Sequence, residues 1–519
     1  LGEYSRRKLW SLIMAIAKRA VSQPISLPAP TGGWNARDGL TAMGPLDAVT
    51  LTNWYPATTE MQLRNGYAKW ATGISGQVQT LMAYAGGTTN TLFAIAGGSV
   101  YDVTSQGAVG SAVLTGLSNS KWGYLNLATS GGNYLSMANG VDAPRNYNGS
   151  VWSTPSITGV TATKLRDPIL YAQRQFFIED GTLKVWYLPV QSISGAANVV
   201  DVSAWATKGG YVVSHGTWTI DAGQGVGDHY VIMTSRGQVI VYQGDDPASP
   251  TTWSMVGVWD IGAPVGNRSL YKYAGDMLVV CQDGVIPMSA ALQSSRVNPK
   301  VAITDKIQFA ISEAVTDYGA NFGWQLLYVP TINQLWLNVP VQEGQNQQQF
   351  VMNTINGAWC NYTGWNANCL ELFEDNPYFG GNGYVGRAWY TNGDNGNNIN
   401  AYGLQAFNSF NGAGTLKRFT MSRPILRADG NPGIYAGIDI DFNINDLSAP
   451  LTTTPVNIGK WDTGVWDSAN WGGGLQVIQN WQGIHGVGYY AAPIVKVASN
   501  NLQVRWVSTD IVMEGGAIL

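Results

Sequence analysis

The feature that most constrains this chain is a hairpin signal that returns along most of its length. In "TLFAIAGGSVYDV" (91–103), "NYLSMANGVDAPRNYNGSVW" (133–152) and "RQFFIEDGTLKVWYL" (174–188), a short alternating run breaks at glycine and resumes. The pattern returns in "HYVIMTSRGQVIVYQG" (229–244), "DMLVVCQDGVIPMS" (276–289), "FVMNTINGAWCNY" (350–362) and "NPYFGGNGYVGRAWY" (376–390). Period-two alternation fits a half-buried strand, and glycine at the break supplies the positive φ that tight hairpin turns need. The turn glycines Gly97, Gly140, Gly181, Gly237, Gly284, Gly357 and Gly383 are spaced by 43, 41, 56, 47, 73 and 26 residues, a mean of about 48. Four-stranded propeller blades occupy roughly 40 to 50 residues. Such a sheet exposes two apolar faces that only neighbouring sheets can cover, and radial closure leaves no end blade bare. The expectation is an all-β chain: a β-propeller of about six or seven blades over residues 76–412. The spacings of 73 and 26 imply an insertion and a missed hairpin. Tandem β-sandwiches are the rival reading.

Helical periodicity is almost absent after residue 20. Residues 1–75 are turn-rich and read as an N-terminal extension and platform segment. Residues 413–519 carry longer alternating strands, as in "LKRFTMSRPILRADGNPGIYAGIDIDFNI" (416–444), around a Trp- and Gly-rich loop, "KWDTGVWDSANWGGG" (460–474). This part is expected to form an additional C-terminal β domain, or one whose strands pair with the N-terminal segment. At the start, Arg6, Arg7 and Lys8 before "LWSLIMAIA" mimic a short signal peptide. Lys18 and Arg19 interrupt it before any cleavage site. Met14 reads like a natural start, which makes residues 1–13 an upstream extension.

Composition excludes some functions. Charged residues are 12% of the 519-residue chain, against roughly 25% in ordinary soluble domains. Lys plus Arg is 29 and Asp plus Glu is 33, a net charge of −4 with no basic footprint for gripping DNA. No apolar run reaches 18 residues, so no membrane-spanning helix is expected. Cys281, Cys360 and Cys369 lack metal-ligand spacing and favour buried thiols of a reducing cytoplasm. Cys360 and Cys369 are the pair that could bridge.

Chemistry finds little foothold. The stretch "GDDPASPTTWSMVGVWDIGAPVG" (244–266) raises the question of an acid/base site. Adjacent Asp245 and Asp246 would point to opposite faces of a strand, and a glycosidase needs two carboxylates facing across a cleft. They fit better as a loop tip, with Pro247 and Pro250 stiffening the approach to Trp253. Glu179, Asp180 and Asp283 sit in hairpin turns. "TNGDNGNNIN" (391–400) offers one carboxylate, Asp394, too few for a calcium loop. His215, His229 and His485 lack an acid–nucleophile pattern, and "GQGVG" (223–227) lacks the strand–turn–helix setting of a phosphate loop. No catalytic, cofactor-binding or metal-binding residue is expected, and no cofactor. The 21 Trp and 25 Tyr suit cores and subunit interfaces better than sugar platforms.

Several phrases do carry a resemblance. The 244–266 stretch with the following "GDMLVVCQDGVIPMS", "GGWNARDGLTAMGPLDAVTLTNWYP…LRNGY" (32–67), "KGGYVVSHGTWTIDAGQGVGD" (208–228), "FVMNTINGAWCNYTGWNANCLELF" (350–373) and "VSTDIVMEGGAIL" (507–519) resemble the tail nozzle or tail-hub proteins of short-tailed bacteriophages, the podophages, and related prophages. The likeness runs from about residue 30 to the end; it departs at Gly39, where the family's pattern has Pro, and before Met14. It implies a non-enzymatic structural protein of the virion tail, assembled in the bacterial cytoplasm. Such subunits form a homohexameric ring below the portal and its adaptor, or head-to-tail connector, carry a fibre or spike, and let genomic DNA pass without sequence-specific binding. Asn35, Arg37, Asp38, Asn53 and Arg64 match the family's N-terminal motif, with the implied role of fixing the platform and its contacts. The alternative is a tail protein that binds or cleaves host surface polysaccharide.

Overall fold

The computed structural model describes residues 22–87, 89–221, 226–291, 299–445, 458–459, 470–471 and 474–515. The reading of Met14 and of the residues before it lies outside these, as does most of the Trp-rich loop.

Among the described residues, seven antiparallel sheets follow one another around a ring. Four are complete four-stranded units, beginning at Gly123–Thr129, Leu165–Tyr171, Val212–Asp221 and Gln325–Val329. A three-stranded one begins at Leu270–Tyr273. The remaining two share one strand, Gly66–Ala85. Its first part pairs with Asn382–Thr391, from Gly66 opposite Thr391 to Gln77 opposite Asn382, and so finishes the seventh sheet. Its second part pairs with Asn90–Ala96, from Val78 opposite Ala96 to Ala85 opposite Asn90, and so opens the first. A boundary drawn at residue 75 therefore falls inside a strand.

Each gap between neighbouring sheets is filled by apolar side chains. Met82, Phe93, Trp122 and Leu135 fill the first gap, and Phe176, Tyr230 and Ile240 pack between the third and fourth sheets. Val78, Leu81, Cys369 and Val385 seal the last sheet against the first. The protein is a β-propeller, because a sheet buried on both faces by its neighbours has no free end only when the ring closes.

All seven turn glycines have φ between 54° and 109°. Four lie between the second and third strands of their sheets, and Gly284 and Gly383 at the start of the third; Gly357 lies one turn later, between Asn346–Asn353 and Trp359–Thr363. The equivalent turn of that sheet is marked by Gly344, with φ 73°. That is the missed hairpin behind the uneven spacing. The insertion is a helical segment, including the helix α1, Gln308–Tyr318. Sequence periodicity did not reveal it, because only Ile311 and Ala314 are buried within its length. Together with Ile307 they pack on Leu326 and Leu335 of the sixth sheet.

The additional β domain is not C-terminal alone. One of its sheets joins Gln23–Pro28, Trp54–Pro56 and Met61–Leu63 to Lys417–Ala428, Gln482–Gly488 and Val504–Gly515. The other joins Gly33–Trp34 and Asp47–Thr52 to Ile399–Gln405, Gly433–Ile440 and Ala491–Ser499. The two pack face to face around Trp54 and Trp506, whose ring centroids are 5.6 Å apart. A Cβ on Gly403 would lie 2.7 Å from the Trp506 ring, so glycine is what lets the two sheets approach. The propeller is thus an insertion between the two halves of a β-sandwich. The second sheet also runs on into the sixth propeller sheet, where Thr52 pairs with Asn361.

Candidate functional site

The five motif residues fall in two polar clusters, both at the joint between sandwich and propeller. In the first, buried Asn35 donates from Nδ2 to Asp38 (2.9 Å) and Asp47 (2.8 Å). Its Oδ1 accepts from the backbone N–H groups of Arg37 and Asp38, the local loop that short amide side chains build. Arg37 pairs with Asp38 and reaches across to Asp305, just before α1. Lys306 returns the contact, donating to Asp47 (2.6 Å) and to the carbonyl of Gly32 (2.7 Å). Hydrogen bonds from Arg37 and then Asn35 hold the Asp38 carboxyl down at about 2.

The second cluster is deeper. Asn53 sits in the left-handed region at φ 59°, which Asn tolerates. Its Nδ2 donates to Thr363 Oγ1 and the Asn400 carbonyl, and its Oδ1 accepts from Arg64 Nε at 2.8 Å and from Thr363 N–H at 2.9 Å. Arg64, with a fully buried side chain, grips both oxygens of Asp394 and lies 4.8 Å over the Trp365 ring. Trp365 Nε1 also donates to Asp394 (3.1 Å). This is where the solitary carboxylate of "TNGDNGNNIN" goes: to an arginine rather than to a cation. Sequence could not pair them, since 330 residues separate the two.

The other candidates are dispersed. Asp246 pairs with Arg174 on the third sheet, and Trp253 stacks on Tyr242 at 5.1 Å. Asp245 and Asp246 therefore lie in the loop between the last two strands of the fourth sheet, Gln238–Gln243 and Ser254–Asp260. Glu179 accepts from Trp186 Nε1, and Asp180 pairs with Arg166. His485 is exposed on the strand Gln482–Gly488. "GQGVG" lies partly outside the described residues. Cys281, Cys360 and Cys369 are buried free thiols, so Cys360 and Cys369 do not pair. Among the described residues no group of three or more His, Cys, Asp or Glu side chains is placed to hold a metal ion, and no helix is long and apolar enough to cross a membrane.

A third polar site was not read from the sequence. Where the innermost strands converge on the propeller axis, they line an open-ended cavity of about 370 Å³. Every one of the seven sheets contributes to its wall, through Thr80, Tyr124, Asp167, His215, Tyr271, Gln325 and Glu371. Arg268 crosses it from the fifth sheet. It donates to Gln325 Oε1 (3.1 Å), Thr80 Oγ1 (3.1 Å) and the carbonyls of Gln79 and Trp122. Its partners thus lie on the sixth, first and second sheets.

Burial shifts the titratable groups around this cavity. Burial pushes the Glu371 carboxyl up to about 7, against hydrogen bonds from Tyr124 and the Leu372 N–H. Asp167 is also raised by burial, against the pull of Arg166. Burial lowers His215 to about 3, so its ring is neutral. The carbonyl of Asp167 can only accept, so His215 Nε2 carries the proton toward it, and Nδ1 accepts from Tyr230 (2.6 Å). Sequence hid this site because its wall is drawn from seven distant segments.

No family model matches the chain, and no curated protein does. Among solved structures, BBS1N in complex with ARL6DN is similar at 11% identity, over 63% of this chain and 99% of that one, with a TM-score of 0.39. The β-propeller domain of Cps50 (Swd1) from Myceliophteria thermophila is similar at 11% identity, over 59% of this chain and 95% of that one, with a TM-score of 0.37. Sqt1 from Saccharomyces cerevisiae is similar at 12% identity, over 66% and 86%, with a TM-score of 0.35.

Proposed function

We propose that the chain is a structural virion protein, a ring-forming subunit of a podophage tail nozzle or hub, that closes and then conducts the DNA ejection channel below the portal and adaptor. The observation that carries this reading is the location of Asn35, Arg37, Asp38, Asn53 and Arg64. Arg37, Asn53 and Arg64 tie the platform to Asp305 and to Thr363 of the propeller, and Asn35 and Asp38 hold the loop that presents Arg37. A subunit that works by shape must hold two bodies at a fixed angle under load, and buried bidentate pairs give that geometric specificity.

Two physical points support the reading. A conduit lined with Lys and Arg would hold DNA with strongly salt-dependent affinity. A net charge of −4 and a charged fraction of 12% avoid such a lining. The axis of each propeller is bridged by Arg268, so the DNA passage in this reading runs between subunits and not through a propeller. A closed ring of about six copies needs large complementary faces, which aromatic-rich polar surfaces supply.

The test is imaging of phage particles assembled without the protein. Tails cut short below the adaptor, with DNA lost from the heads, are the expected result. Intact tails that retain DNA would refute the reading. Mass measurement of the full chain with purified portal–adaptor particles should show about six copies per particle.

A further inference from the structure

We propose that the axial cavity of the propeller is a binding site for a small polyhydroxylated ligand, one monosaccharide unit in size. The site is independent of the virion reading and needs no ring to form.

Size comes first. A volume of about 370 Å³ lies within the roughly 300 to 1,000 Å³ of small-molecule sites. The wall chemistry then narrows the class. Arg268 binds only neutral acceptors, and among the described residues it forms no ion pair. Glu371 and Asp167 line the same cavity, neither paired with Arg268, the Asp167 carboxylate being paired with Arg166. A guanidinium and two carboxyls therefore face a common space without closing on one another.

An anion entering that space meets the carboxyls, and a cation meets Arg268. A hydroxyl group suits both sides, accepting from the guanidinium and donating to a carboxylate. Several hydroxyls on one small frame can satisfy Arg268 and Glu371 together, with Asp167 beside them in the wall. Tyr124 and Tyr271, from the second and fifth sheets, add ring surface for the C–H face of such a frame.

One residue of the wall, Asp167, has a left-handed backbone. Asp167 holds φ at 47° inside a break of register between Arg166 and Ile169. A Cβ on Gly123 would sit 2.5 Å from its carboxylate, so the neighbouring strand has made room for it. Bulges of this kind re-aim a side chain, at sheet edges and next to binding sites alike.

The test is titration of the full-length protein with the methyl glycosides of glucose, galactose, mannose and N-acetylglucosamine, followed by saturation-transfer NMR and calorimetry. Inorganic phosphate and methylammonium serve as ionic probes. At least one glycoside should saturate, and Arg268→Gln and Glu371→Gln should each weaken it by about tenfold or more, the loss of a hydrogen bond to a charged group. Glu371→Gln keeps an acceptor for the Leu372 N–H, so it carries the test if Arg268→Gln does not fold. An oligosaccharide ending in the same unit distinguishes a pocket for free sugar from one for a chain end. Three outcomes would overturn the proposal: no glycoside saturates, Glu371→Gln binds like the unaltered protein, or only the ionic probes bind. Loss of sugar binding would leave ring assembly unchanged, and failure to form rings would leave this site intact.

Discussion

Arg64 and Asp394 meet through two parallel hydrogen bonds of 2.8 and 2.6 Å, across 330 residues of chain. A Cβ on Gly364 would lie within 3.0 Å of both side chains, so the backbone there is pressed onto the pair. Truncating one partner leaves the other charge buried. Arg64→Ala should therefore lower stability by about 3 to 5 kcal/mol. Arg64→Lys should recover little of this, since an ammonium cannot reproduce the fork. Denaturant unfolding of Arg64→Ala, Asp394→Asn and the double variant checks it. A double variant as destabilised as the sum of the two singles would mean the pair is not coupled.

The ring is closed by Gly66–Ala85, and its first residue has no room for a side chain. A Cβ on Gly66 would stand 2.0 Å from the carbonyl oxygen of Gly393, a backbone atom that cannot swing away. Gly66→Ala should lower the thermal midpoint markedly. Gly181→Ala, at φ 72° with open space around it, should cost only about 1 kcal/mol for its backbone conformation. Equal thermal shifts for the two would count against a steric lock.

His215 makes stability depend on acid. Its pKa falls from 6.5 to about 3 on folding, so the unfolded chain binds more protons between those values. Its contribution is complete above about pH 6.5 and is lost as pH falls toward 3. His215→Gln should flatten that part of a stability-versus-pH profile. An unchanged slope below pH 6.5 would show that the ring is not held neutral.

Glu371 acts in the opposite sense. Its pKa rises from 4.5 to about 7, so the folded state keeps a proton that the unfolded state releases. This contribution is complete below about pH 4.5 and is lost as pH rises through 7. Relative to the unaltered protein, Glu371→Gln should gain stability between pH 4.5 and 7 and keep that gain above. Parallel profiles would mean that Glu371 ionises freely in the cavity.

The three thiols should be silent in the folded protein. Burial pushes Cys281 and Cys369 up to about 12 and raises Cys360 as well. A thiol-reactive dye at pH 8 should label none of them in native protein and all three once it is unfolded, because the thiolate is the reactive form. One labelled thiol in unfolded, unreduced protein would reveal a bridge between two of the cysteines.

Much of the propeller was legible because its turns are local. Gly97, Gly181 and Gly237 announce a hairpin within a dozen residues, and each takes up the positive φ expected of it. Gly344 escaped notice because the strands around it, "NVPVQEGQNQQQF", carry glutamine where alternation would have shown apolar residues. The helix at Gln308–Tyr318 escaped because it buries a narrow stripe. The motif residues are legible in the sequence, but their partners Asp305, Lys306, Thr363 and Asp394 are not, since nothing near Arg37 or Arg64 in sequence points to them.

The amino-acid order by itself determined the strand-and-turn alphabet, because a turn's demand for positive φ and a strand's period of two are met within a few residues. Only the tertiary structure decided that residues 66–77 complete the last sheet, that the sandwich takes strands from both halves of the chain, and that seven distant side chains share one axial cavity. Those relationships arise from closing a ring. The contacts that closure creates depend on distance in space, which local conformational preference does not encode.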